Sequence, residues 1–176
     1  SDRLDLVLDI PVDCPAGDYL VVVRIVSTID ADRQTVHDFW LTVTPKPGLE
    51  ITLVPQIVTG GGEAKLTATV VNTGNTTAEP IVEAVDPTRE IDCVADPGSI
   101  TIPQGHEALV DIVVRGRRPW FGDPVPHAIT VTARVDDLVV EQTGTFRQKP
   151  RIPRGLLTAL ILASIVVLWA LIFLFV

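Results

Sequence analysis

The chain has no methionine among its 176 residues, only two cysteines, three histidines and one tyrosine. Without an initiator methionine, the sequence reads as a chain processed, cut or only partly represented. Cys14 and Cys93 lie far apart and match no metal-ligand spacing. By the domain division below they fall in different domains, so the residues shown allow no disulfide within a domain. That leaves buried thiols, or an interdomain bridge that needs an oxidising compartment. His37, His106 and His127 sit on separate predicted elements without a partner at ligand spacing. Gly-X-Ser-X-Gly, HEXXH and P-loop patterns are all missing. The sequence therefore points to no catalytic residue, no cofactor, no metal and no small-molecule substrate. Asp136-Asp137 reads as a hairpin turn. Asp30, Asp32 and Asp38 read as solvated turn acids, since a calcium hand needs a glycine and a spacing not found there.

Positive charge is scarce until late in the chain. Of 14 Lys and Arg, ten precede residue 147, against all 22 Asp and Glu. An acidic body repels phosphate backbones, so nucleic acid is not an expected partner. Arg147, Lys149, Arg151 and Arg154 then follow one another with no acid between them. Directly after them, 156–176 reads LLTALILASIVVLWALIFLFV, with no charge and no proline. At 1.5 Å per residue this run spans roughly 31 Å, the hydrocarbon thickness of a bilayer. It predicts a single transmembrane helix, with Leu156, Leu160, Leu168, Trp169, Phe173 and Val176 among its lipid-facing residues. Thr158 and Ser164 are expected to bond back to their own helix carbonyls. The basic cluster forms a headgroup-level flank, and the lipid bilayer becomes the first expected partner. Basic residues favour the cytoplasmic side, which places the preceding domains in the cytoplasm. A long preceding domain can translocate regardless of such charges, so the outward orientation stays open.

Before residue 147 the hydrophobic pattern alternates. Tyr19–Ser27, Ile51–Val54, Lys65–Val71, Ala108–Val114 and Ile129–Val135 are rich in β-branched residues. Pro15-Ala16-Gly17-Asp18, Asn72-Thr73-Gly74-Asn75, Asp96-Pro97-Gly98-Ser99 and Pro103-Gln104-Gly105 are turn signals. The fold class is all-β: tandem immunoglobulin-like sandwiches, the first partial, followed by one transmembrane helix. The expected division is 1–46 for the C-terminal part of a first sandwich and 47–148 for a second of seven or eight strands. Residues 149–155 follow as a basic linker and 156–176 as the helix. The first part holds only three predicted strands, 4–12, Tyr19–Ser27 and Thr35–Thr44. Half a sandwich has either lost its other half from the sequence shown or packs on another chain. Pro15–Tyr19 before one strand and Pro124–His127 before another suggest a degenerate repeat.

Thr69-Val70-Val71-Asn72-Thr73-Gly74-Asn75, and Pro15 to Tyr19, resemble the alpha-galactosidase-associated (NEW3-like) type of Ig-like repeat. Over nearly the whole chain, the order of segments resembles actinobacterial membrane proteins labelled "hydrolytic protein". The residues that carry this are Arg115 to Gly122, His127, Gly144-Thr145-Phe146, Gln148-Lys149-Pro150 and the apolar helix. The label brings no catalytic motif that maps onto this sequence. The resemblance implies a membrane-docking role for a phage-tail-like contractile injection system.

Arg115, Arg117, Arg118, Trp120 and Phe121 are the strongest candidate interface, because Arg and aromatic residues concentrate at interfaces. They read either as a docking or headgroup-contacting surface, or as a loop whose Trp120 caps the core. Asn75-Thr76-Thr77 fits a glycosylation sequon, a pattern common by chance. The expected function is non-enzymatic: a membrane-anchored scaffold presenting β-sandwiches to a protein partner complex. The alternatives are a surface-exposed carbohydrate-binding or adhesive module, and an accessory subunit of a larger integral membrane complex.

Overall fold

A computed structural model describes residues 5–29 and 34–175. Strands β1 (Gly17–Val26) and β2 (Gln34–Val43) form a two-stranded antiparallel sheet. Eight strands then build a sandwich: β3 (Leu49–Val54), β4 (Ile57–Gly60), β5 (Glu63–Asn72), β6 (Ile81–Val85), β7 (Asp92–Asp96), β8 (Glu107–Arg115), and, after the short β9 (Phe121–Gly122), β10 (Val125–Val135) and β11 (Leu138–Gln148). Strand β12 (Ile152–Pro153) leads into α1 (Arg154–Phe175). One sheet has the order β3-β5-β8-β7, the other β4-β11-β10-β6. The fold is thus the expected all-β sandwich with one apolar C-terminal helix.

Alternation explains why these segments are strands. In β3, Leu49, Ile51 and Leu53 face inward while Glu50, Thr52 and Val54 face out. The same period runs through Ala64, Leu66, Ala68 and Val70 on β5, and Ile129, Val131 and Ala133 on β10. The two inner faces meet around Phe146, the largest fully buried side chain. Gly144 sits two residues earlier on the same face, where a Cβ would press on Leu53 and Leu66 at 3.3 Å. Turn chemistry closes the hairpins: Asp136, in the expected β10–β11 turn, has φ of 49°, a conformation Asp tolerates better than most residues.

The 86–91 turn is held by a buried carboxylate. Asp86 accepts bonds from the Thr88 amide and hydroxyl and from the Glu90 and Ile91 amides, at 2.8 to 3.1 Å. Burial pushes its pKa up, but the donors of Thr88, Glu90 and Ile91 outweigh this and hold it below the ordinary carboxylate value.

Two expectations need correction. Residues 5–12 form no strand, although Leu6, Leu8, Ile10 and Val12 alternate. A strand exists only where its backbone groups find a ladder, and this segment joins none among the described residues. The helix also begins earlier than expected, at Arg154, and the 149–155 linker contains a paired strand. Asp30, Asp32, Leu4 and Val176 lie outside the described residues. Asp38 lies on β2, exposed and opposite Val22.

The hairpin β1–β2 is joined to the sandwich through the turn that follows β5. The Asn75 amide and side chain meet Lys46, with Asn75 N donating to Lys46 O at 3.1 Å and Lys46 N donating to Asn75 Oδ1 at 2.7 Å. Asn75 Nδ2 donates to Thr44 O at 3.1 Å, and Ala16 N donates to Asn75 O at 2.8 Å. The sequon asparagine is therefore engaged in joining the two parts. Neither face of the hairpin carries a second sheet among the described residues.

Two predictions follow from the core and the turn. Phe146→Ala should destabilise the sandwich by about 3–5 kcal/mol through lost burial and a residual cavity, read as a lowered urea midpoint of the full chain in detergent micelles. Asp86→Asn should cost about 1–3 kcal/mol at neutral pH, because buried amides lose an ionised acceptor. The lowered native pKa of Asp86 contributes stability that is present above the unfolded value of about 3.9 and is lost as pH falls through the native value. The gap between wild type and variant should therefore narrow below about pH 4, which urea titrations at several pH values will measure.

Candidate membrane-proximal interface

The sandwich has two distinct ends, set by β5. Its Asn72 end meets the hairpin through the turn just described. Its Glu63 end meets the loop 115–123: Gly116 N donates to Gly62 O at 2.8 Å, and the Arg118 side chain lies against Gly61. Gly116 is required there, because a Cβ would fall 2.7 Å from Ile91 and 2.9 Å from the Gln148 amide nitrogen.

This loop binds the segment that enters the helix. Lys149 N donates to Gly60 O at 2.7 Å, extending the sheet past β11. Arg118 Nε donates to Lys149 O and Arg118 Nη2 to Pro150 O, each at 3.1 Å. Arg151 N donates to Pro119 O and Ile152 N to Trp120 O, each at 2.9 Å. Ile152 pairs with Phe121 and Pro153 with Gly122 in a short parallel ladder, β9–β12. The Arg151 guanidinium stacks 4.3 Å from the centre of the Trp120 ring, a cation–π contact. Arg154 Nη1 lies 3.6 Å from Asp123 Oδ2. The result is a collar that holds residues 149–153 against the sandwich just before α1.

The five candidate interface residues thus divide. Arg118, Trp120 and Phe121 are brought together with the basic flank. Arg115 stands apart, 3.8 Å from Glu63 in an exposed ion pair of little energetic weight. Arg117 is exposed and has no charged partner among the described residues. Trp120 does not cap the core: it and Phe121 are each 58% exposed. In the flank, Lys149, Arg151 and Arg154 belong to the collar, while Arg147 lies exposed on β11 opposite Pro126.

Helix α1 is long and apolar enough to cross a membrane, and none of its span is buried. Leu156, Leu160, Leu168, Trp169 and Phe173 are exposed on it. Thr158 donates to Arg154 O at 3.0 Å and Ser164 to Ile161 O at 2.7 Å, as expected.

Sequence reasoning missed a polar pair inside this end of the sandwich. His127 is 6% and Gln148 4% exposed, and both face the core. His127 Nδ1 lies 3.3 Å from Glu90 Oε2 and its ring stacks on Phe146. His127 Nε2 and Gln148 Nε2 have no protein hydrogen-bond partner. The signal was available, because His127 is in phase with Ile129 and Val131, and Gln148 with Phe146. The other histidines are remote from it in the fold: His106 Nδ1 is 2.8 Å from Gln104 O, and His37 pairs with Val23 on β2. Among the described residues, no three of His, Cys, Asp and Glu gather as a metal-binding group. Cys14 and Cys93 are both unbridged and half-buried. Burial, then the charges of Asp86 and Asp92, push the Cys93 thiol up to about 11, so it is protonated at neutral pH.

No family model matches the chain, and no curated protein matches it either. Among solved structures, it is similar to Escherichia coli alpha-2-macroglobulin from domain MG7 to the C-terminus, with TM-score 0.46 and 16% identity over 59% of this chain. It is similar to the E. coli chaperone DraB, with TM-score 0.43 and 16% identity over 58% of this chain. It is also similar to a FixG-related protein from Vibrio parahaemolyticus, with TM-score 0.44 and 13% identity over 61% of this chain. The matches cover 17%, 55% and 99% of those three chains, respectively.

The collar geometry yields a prediction. Arg118→Ala removes two bonds to the linker carbonyls, and exchange of the Arg151 and Ile152 amides should accelerate about tenfold, the equivalent of about 1.4 kcal/mol. Hydrogen exchange of the full chain in micelles measures this. Unchanged exchange at both amides would show that Arg118 does not hold the linker.

Proposed function

We propose that this chain is a non-enzymatic, membrane-anchored interaction protein. One observation carries the reading: the membrane-length helix and the exposed apolar hairpin leave the sandwich from opposite ends. The 10-residue β5 that separates them is roughly 30 Å long. The sandwich thereby acts as a rigid spacer that holds the hairpin away from the surface in which α1 is anchored.

The hairpin has the character of a contact surface. Leu20, Val22 and Val36 are exposed on the face that also carries Trp40, itself 69% exposed. Ile25 and Phe39 are exposed on the other. A patch of this kind marks an interaction site in soluble parts of proteins. Tethering to a membrane raises local concentration, so modest contacts can hold a partner. The proposed partner is a protein complex on the cytoplasmic side, in keeping with the basic flank before α1. The resemblance to actinobacterial membrane proteins extends this to docking of a phage-tail-like contractile injection system.

Sidedness is the test. Asp137 is at an exposed hairpin tip, and Asp137→Cys gives a reporter for a membrane-impermeant thiol reagent. The reporter should stay unlabelled in intact cells and label after lysis. Labelling in intact cells would overturn the cytoplasmic reading and favour the surface adhesive or carbohydrate-binding module.

A further inference from the structure

We infer that the collar is a lipid-binding surface: Trp120 and Phe121 enter the headgroup layer of an anionic leaflet, with Arg117, Arg151 and Arg154 around them. This rests on the reading of α1 as a membrane anchor and goes beyond it, because it fixes how the sandwich stands on the bilayer.

Depth is the first argument. The 22 residues of α1 rise roughly 33 Å, close to the hydrocarbon thickness of about 30 Å. A helix of that length puts Arg154 at the hydrocarbon boundary. Ile152 is two residues earlier in an extended chain, roughly 7 Å further out. The headgroup layer is about 5–7 Å thick on each side. Phe121 is tied to Ile152 by the β9–β12 ladder, and Trp120 O accepts from Ile152 N. Both aromatics are therefore held at headgroup depth by backbone pairing.

Chemistry is the second argument. Trp is favoured where one side of a ring meets hydrocarbon and the other meets polar groups. Trp120 is exposed, and its ring carries the stacked guanidinium of Arg151. Among the described residues Arg117 and Arg151 have no acidic partner, Arg154 pairs with Asp123, and Arg115 pairs with Glu63. An excess of guanidinium beside exposed aromatics, on an otherwise acidic protein, is complementary to anionic phospholipid.

The test uses the full chain in vesicles with tryptophan as reporter. Trp40→Phe with Trp169→Phe leaves Trp120; Trp40→Phe with Trp120→Phe leaves Trp169. Doxyl labels near the headgroup or deep in the acyl chains quench according to depth. We expect Trp169 to be quenched by the deep label and Trp120 by the shallow one. Shallow quenching of Trp120 should be about twofold stronger with about 30 mol% phosphatidylglycerol than in phosphatidylcholine alone, and Arg117→Gln should reduce that difference. Because Arg117 is exposed and makes no ion pair among the described residues, its variant should fold normally. If Trp169 is quenched but Trp120 is not quenched by any label, the collar does not bind lipid, while the membrane anchor stands. Equal quenching of Trp120 in both lipids would overturn the anionic preference. If the deep label fails to quench Trp169, the anchor reading fails and the collar inference with it.

Discussion

Strand β11 must both complete the core and deliver the chain to a membrane-length helix. Phe146 fills the sandwich on one side of it, and Gln148, Lys149 and Pro150 follow directly at its end. A backbone leaving a sheet has groups that must be satisfied again at once. Here Gly60, Pro119 and Trp120 supply carbonyl acceptors, and Arg118 donates to the two linker carbonyls. The loop 115–123 is therefore shaped by the exit of the chain. Its glycine and its arginine answer that requirement, while Trp120 and Phe121 take part in it through their backbone.

The same end of the sandwich carries the polar exceptions to an apolar core. Asp86 is satisfied by four donor groups and stays ionised. His127 and Gln148 are less completely paired, and unpaired buried polar groups are costly. At the far end, Asn72 shows the opposite solution. Its side chain donates to Thr76 O and Ile102 O and accepts from Gly74 N, so a fully buried amide organises the turn that receives the hairpin.

Much of the sandwich was legible because alternation is a local property. Ile51–Val54, Lys65–Val71, Ala108–Val114 and Ile129–Val135 all lie within strands, and the Asp136-Asp137 turn is where it was expected. The segment before Cys14 was misread because alternation records a willingness to pair and cannot supply the partner. The sequence leaves Trp120 open between surface and core, since a large aromatic beside turn residues carries no mark of which side it faces. Residues 149–155 looked like a featureless basic linker, because two-residue strands leave no periodicity to detect.

By itself the sequence determined the strand-forming segments, the membrane-length helix and the segregation of acidic body from basic flank. Each follows from hydrophobic period or charge order along the chain. Only the tertiary structure decided that the loop 115–123 clasps the linker, that Trp120 is exposed, that Asn75 joins hairpin to sandwich, and that hairpin and helix leave from opposite ends. These depend on register and on contacts between segments remote in sequence, such as Arg118 with Lys149 and Pro150. A local pattern fixes which face a side chain takes, but pairing in three dimensions fixes what that face meets.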